Sequence, residues 1–209
     1  MIDICHKQTG SVLKQVESDS LCGGYLEGAK LAGADLSKRD LSNADLQRAD
    51  LRDADFTGAN LRGALLAGAL MRGAVFDGAN LEKSDLTDSF AVGAGFHGAN
   101  LRGANLRYAK LSEADFSEAN LTGADLSMAD LACDFSKANL TKADLRGSNL
   151  DGAVLDGTVL LGANLTDAKL SGADMDGARL EGAILGSGRK LGTQMFKKKE
   201  QRPWWQFWS

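Results

Sequence analysis

The groups in this chain that could do chemistry are 28 carboxylates, two histidines and three cysteines among 209 residues. Paired carboxylates serve acid–base catalysis when their surroundings push their pKa values apart. Here the Asp residues recur at one fixed spacing, so a pair could be drawn anywhere and none is singled out. The histidines, His6 and His97, belong to no motif that supplies a nucleophile, a metal set or a phosphate loop. Cys5, Cys22 and Cys133 are an odd number without metal-ligand spacing, which reads as reduced thiols. The sequence therefore predicts no enzyme, no cofactor and no metal.

What positions these groups is a five-residue period running from residue 19 to 185. A small residue is followed by Asp or Asn, then by Leu, Phe or Met, then by two variable positions, as in Ala34-Asp35-Leu36-Ser37-Lys38. A helix is excluded, because five residues at about 100° each leave successive leucines about 140° out of line. The small residue lies two before each Leu/Phe/Met centre, which puts both side chains on one face of an extended segment. Three steps then separate a centre from the next small residue. That odd number would flip the pattern unless the chain turned a corner every five residues.

Two columns give the number of corners per coil. Phe56, Phe76, Phe96, Phe116 and Phe135 occupy centres at intervals of 20, with one of 19. The short interval comes from Leu131 to Phe135, where adjacent centres are four residues apart. Asn60, Asn80, Asn100, Asn120 and Asn139 precede centres with the same register, suited to an amide ladder from coil to coil. Four pentapeptides thus make one coil. The 34 repeats give about 8.5 coils, a solenoid roughly 40 Å long at about 4.8 Å per coil. Of the centres 33 are Leu, Phe or Met, with Ala91 the exception, and 26 of the small positions are Ala, so each layer of core holds four large and four small side chains. Arg39 and Asp19 stand at small, inward positions and are the misfits; Arg39 is expected to reach outward.

The unbroken run Ala99-Asn100-Leu101-Arg102-Gly103-Ala104-Asn105-Leu106 resembles the pentapeptide-repeat family. That resemblance covers residues 19–185 and implies an all-β, right-handed quadrilateral parallel β-helix. The best understood members resemble double-stranded DNA in shape and charge and bind DNA gyrase. They typically carry projecting loops, a C-terminal dimerising segment, or both; this repeat run has no loop insertion.

Three segments follow: a β-hairpin cap over 1–18, the repeat body over 19–185, and a tail over 186–209. The hairpin is read from apolar alternation in 1–6 and 12–16 around Lys7-Gln8-Thr9-Gly10. It would close an end that otherwise recruits other strands. The start lacks the features of a signal peptide and no segment reaches the roughly 18 apolar residues that cross a bilayer. A cytoplasmic protein, or one peripheral at the membrane through its tail, is expected. The tail has net +5 and holds all three tryptophans. Lys197, Lys198, Lys199, Trp204, Trp205, Phe207 and Trp208 suit a cap over the last coil, a partner contact, or weak docking at a membrane surface.

Charge on the body is segregated by side. The side bearing the Phe column carries Asp35, Asp55, Asp77, Asp115, Glu118, Asp134, Asp156, Asp174 and Asp176 against Lys38 and Lys137, net −7. The side bearing the Asn column has net +2, and the body as a whole, with 18 basic and 27 acidic residues, has net −9. Duplex DNA would place about 24 charges along roughly 40 Å, so mimicry here is dilute. Leu65, Leu70, Val75 and Phe90 stand at outward positions normally held by Asp or Asn, and are a candidate apolar interface. The sequence thus predicts a non-catalytic scaffold for an unidentified protein partner, with self-association open and no direct nucleic-acid binding. A gyrase-directed DNA mimic and a membrane-surface adaptor are its alternatives.

Overall fold

The computed structural model describes residues 1–186 and the backbone of 189–190. Each pentapeptide has one extended residue, the centre, a two-residue turn and the small residue. The turn is closed by the small residue's N–H donating to the preceding centre's carbonyl, as from Ala34 to Leu31 (3.0 Å). Its second residue has positive φ throughout, the geometry of a type II turn, which explains the many glycines two places after a centre. Thirteen non-glycine residues also adopt it, Lys38, Tyr108 and Met128 among them.

The remaining backbone groups bond between coils. Leu36 N–H donates to Asp55 C=O (2.8 Å), Asp55 N–H to Ala34 C=O (2.8 Å), and Lys38 N–H to Thr57 C=O (2.9 Å). The extended residues pair in parallel at an interval of 20, for example Asn60 with Asn80 and Asn80 with Asn100. At the four-residue step the pattern changes. Cys133 N–H bonds to Leu131 C=O (2.7 Å), a γ-turn in place of the β-turn. A residue is removed without losing register, and Asp115 still pairs with Asp134.

Inside, Phe56, Phe76, Phe96, Phe116 and Phe135 are fully buried and stacked, with ring centroids 4.7, 4.9, 4.6 and 5.2 Å apart. The least parallel pair, at 15°, is the one spanning the deletion. Arg39, in contrast, is exposed, so its guanidinium stays in water and its turn bond is stretched to 3.3 Å. Cys133 takes an alanine position in the core, where burial pushes its thiol well above the ordinary value.

Strands β1 (Ile2–Cys5) and β2 (Val12–Val16) pair antiparallel into a hairpin. It is fastened to the first coils by Asp35 N–H donating to Cys5 C=O and Lys7 N–H to Gly33 C=O, both 2.8 Å. Ile4 is buried, and Ile2, Leu13 and Val16 pack on the core beside it. At the other end β3 (Asn164–Leu165) pairs in parallel with β4 (Ile184–Leu185). Strand β5 (Arg189–Lys190) turns back antiparallel onto β4.

Three of the hydroxyls at small positions are bonded: Ser84 to Leu81 C=O (2.8 Å), Ser148 to Leu145 C=O (2.7 Å) and Thr158 to Phe135 C=O (2.7 Å). Ser89 Oγ is equally buried and has no partner among the described residues. An unsatisfied buried hydroxyl costs about 1–3 kcal/mol. Ser89→Ala is therefore expected to raise stability, while Ser84→Ala leaves it level or lowers it. Denaturant midpoints check this, and a larger gain for Ser84→Ala would contradict the assignment.

Candidate interaction surface

Every centre fixes which wall its flanking residues occupy, so four columns of outward residues run the length of the solenoid. On the acidic wall the coil-to-coil order is Asp35, Asp55, Val75, Gly95, Asp115, Asp134, Val154, Asp174. Its carboxylates are held by the turn that follows them. Asp35 Oδ1 accepts from Ser37 N–H (3.1 Å) and Oγ–H (2.7 Å), Asp115 from Ser117 N–H (2.8 Å), and Asp134 from Ser136 N–H (2.8 Å) and Oγ–H (2.6 Å). Asp55 accepts from Thr57 N–H (2.8 Å) and Asp174 from Asp176 N–H (3.1 Å). The Ser37 hydroxyl and then its N–H hold the Asp35 carboxyl below the usual carboxylate range. Asp77, Asp156 and Asp176 sit in the next column, on the first turn residue. Glu118, on the second, lies 3.9 Å from Lys137.

One chemical pairing on this wall was not legible from the period. His97 Nδ1 lies 2.9 Å from Ser117 Oγ, the residue one coil above it. Asp77 Oδ1 accepts from the His97 backbone N–H (3.2 Å) and so leaves the ring unoriented. A nucleophile–base pair needs a third group aimed at the base. Among the described residues His97 Nε2 meets none, and no three of His, Cys, Asp or Glu converge as a metal set.

The amide wall is built by side chains as well as backbone. Asn60 Nδ2 donates to Asp40 (2.9 Å), Asn80 to Asn60 (3.2 Å), Asn100 to Asn80 (3.1 Å) and Asn120 to Asn100 (3.4 Å). The ladder expected to reach Asn139 ends at Asn120. Asn120 Oδ1 already accepts from Thr122 N–H (3.1 Å) and Oγ1–H (2.7 Å), which uses both lone pairs. The basic residues beside it are partly neutralised, Glu82 lying 3.8 Å from Arg62 and 3.7 Å from Arg102.

The four apolar breaks do not form one patch. Leu65, Leu70 and Val75 follow one another around a coil and so face three different walls, with Asp85 above Leu65 and Gly95 above Val75. Only Leu70 and Phe90 pair directly, one above the other, and Val75 is half-buried. Two large exposed residues absent from the sequence-based set, Tyr108 and Met128, stand at second turn positions one and two coils above Phe90, at the corner before its column. Their signal was available as bulky residues where many other repeats place Gly. Lys197, Lys198, Lys199, Trp204, Trp205, Phe207 and Trp208 lie outside the described residues. Among the described residues no helix is long and apolar enough to cross a membrane.

A family model described as Pentapeptide repeats, with 8 copies, matches residues 25–58, 54–90, 93–132, 133–172 and 148–186. Similar solved structures include HetL from the cyanobacterium Nostoc sp. strain PCC 7120, a pentapeptide repeat protein involved in heterocyst differentiation regulation. HetL is 32% identical over 80% of this chain and 83% of its own, with a TM-score of 0.39. A trypsin-treated form of QnrB1, a plasmid-mediated fluoroquinolone resistance protein, is 23% identical over 76% of this chain and 87% of its own, with a TM-score of 0.50. That second likeness is one of fold. No curated protein sequence matches.

The pinned carboxylates make a pH test. Hydrogen bonds, from the Ser37 and Ser42 hydroxyls first, lower the pKa of Asp35 and Asp40 from 3.8. Their stabilisation is complete above that value and is lost as pH falls through the lower folded-state value. Asp35→Asn with Asp40→Asn keeps an acceptor without the titration. The double variant is expected to lose less thermal stability than the parent between neutral and strongly acid pH; parallel losses would contradict it.

Proposed function

The chain belongs to the pentapeptide-repeat family of right-handed quadrilateral β-helices, and on that premise we propose that it is a rigid, non-catalytic scaffold that binds a protein through its acidic wall. The observation that carries this reading is the column Asp35, Asp55, Asp115, Asp134 and Asp174, each carboxylate tied to its own turn. Side chains already ordered in the free protein lose little freedom on binding. A strip of one sign on a stiff support steers and orients a partner with a basic face.

QnrB1's association with fluoroquinolone resistance motivates a second reading, a DNA-like surface for gyrase. Coils about 4.8 Å apart offer one column position each, against one charge per about 1.7 Å in duplex DNA. Val75, Gly95 and Val154 interrupt even that column. These features favour an ordinary basic protein face over a nucleic-acid-binding groove.

The test is capture from an extract of the source organism with the full-length chain and with Asp115→Lys/Asp134→Lys/Asp174→Lys. The parent is expected to retain a protein that the charge-reversed form loses several-fold and that high salt releases. Equal capture by both forms would overturn the acidic-wall reading. Protection of purified gyrase from a fluoroquinolone would replace it with the second.

A further inference from the structure

Four large apolar side chains are exposed around one corner of the solenoid: Leu70 (39%), Phe90 (50%), Tyr108 (43%) and Met128 (53%). The register brings them together on four successive coils. Phe90 pairs with Leu70 below it and Lys110 above it, and Tyr108 lies two residues before Lys110. One coil further up, Met128 is in Tyr108's column, its Sδ lying 2.6 Å from where a Cβ on Gly147 would be. Gly147 thus leaves the room that Met128 occupies.

These residues are out of place in two independent ways. Leu70 and Phe90 hold outward positions where most repeats have Asp or Asn. Tyr108 and Met128 hold turn positions at φ 59° and 61°, in a column whose other members are Gly28, Arg48, Gly68, Asp88, Gly147 and Asp167, so they are its two large apolar residues. Bulky side chains are rare there, so the backbone carries a cost while the apolar surface stays in water. Exposure and backbone cost falling on one corner point to a contact that covers it.

Residues 191–208 fit that contact in reach, chemistry and charge. Ile184 lies in the column of Asn105 and Asp125, on the wall that turns into this corner, and Arg189–Lys190 pairs back onto Ile184–Leu185. The corner begins about four coils below Lys190 and ends about seven below it, a span of about 19 to 34 Å at about 4.8 Å per coil. Residues 191–203 can extend about 43 Å at about 3.3 Å each. They are followed by Trp204, Trp205, Phe207 and Trp208. Indole and phenyl rings pack favourably on Phe90, Tyr108 and the Met128 thioether. On the way, Lys197, Lys198 and Lys199 would pass Asp125, Asp130, Asp151 and Asp167. Tethering gives the segment an effective concentration in the millimolar range.

We infer that the C-terminal aromatic segment, residues 204–208, folds back along this corner of its own chain and covers Phe90, Tyr108 and Met128. The covered corner is distinct from the acidic wall.

All three tryptophans lie in the segment, so intrinsic fluorescence of the full-length protein reports on it directly. Tryptophan emission is expected at shorter wavelength than in denaturant, with several-fold protection from acrylamide quenching at every protein concentration. The variant Phe90→Asp/Tyr108→Gly/Met128→Gly installs residues those positions favour, so the solenoid keeps its circular dichroism and melting temperature. Its emission is expected to shift to longer wavelength and its protection to disappear. Quenching of the parent as fast as in denaturant, or protection that survives the triple change, would overturn the inference. Protection that grows with protein concentration would also overturn it, by assigning the corner to a second copy.

Discussion

Everything in this molecule hangs on the hydrogen bond from a centre's N–H to the carbonyl nineteen residues further on, as from Leu61 to Asn80 and from Leu81 to Asn100, each 2.7 Å. It fixes the coil at four pentapeptides, and so decides which side chains stack. Because successive coils align, a residue type repeated at that interval becomes a column: phenyl rings inside, amides outside. Inner columns must fit a narrow space at crystal-like density, which accounts for the near-uniform Leu and Ala. Outer columns meet water and can vary, so wall identity is where one member of such a family can differ from another.

Much of this is legible in the amino-acid sequence. Phe56 to Phe135 give the coil size and locate the deletion, because the last interval is 19 where the others are 20. The γ-turn at Leu131–Cys133 was not legible, since a missing residue says where the chain is short but not how it closes. Likewise the period placed Asn139 in the amide column but could not foresee that the Thr122 hydroxyl would occupy the acceptor it needed. The apolar set shows the same limit more sharply. Leu65, Leu70 and Val75 are neighbours in sequence, and the corners between them send them to separate walls. Tyr108 and Met128, one and two coils above Phe90 at the same corner, stand at turn positions whose φ the period does not reveal.

The walls divide the functional questions. The acidic one offers fixed charge, interrupted at Val75, Gly95 and Val154, and suits recognition at a distance, where orientation matters more than depth. The corner at Phe90 offers apolar area and backbone strain, which suits a close contact. The hairpin at one end, anchored through Cys5 and Lys7, pairs with residues 33–35 of the first coil. None of these features alters the inner ladder.

That separation is the central claim: the surface departs from the repeat at Phe90, Tyr108 and Met128 while the ladder beneath is unbroken. Phe90 N–H still bonds to Ala69 C=O (3.0 Å) and Ala91 N–H to Lys110 C=O (2.8 Å), although Ala91 is the smallest centre. Native-state hydrogen exchange resolved by residue tests it most directly. The amides of Phe90, Ala91, Tyr108 and Met128 are expected to exchange through the same opening as those of Leu61 and Leu101. Exchange of residues 89–95 by a separate, much less costly local opening would contradict it and make the departure a loosened segment of the rod.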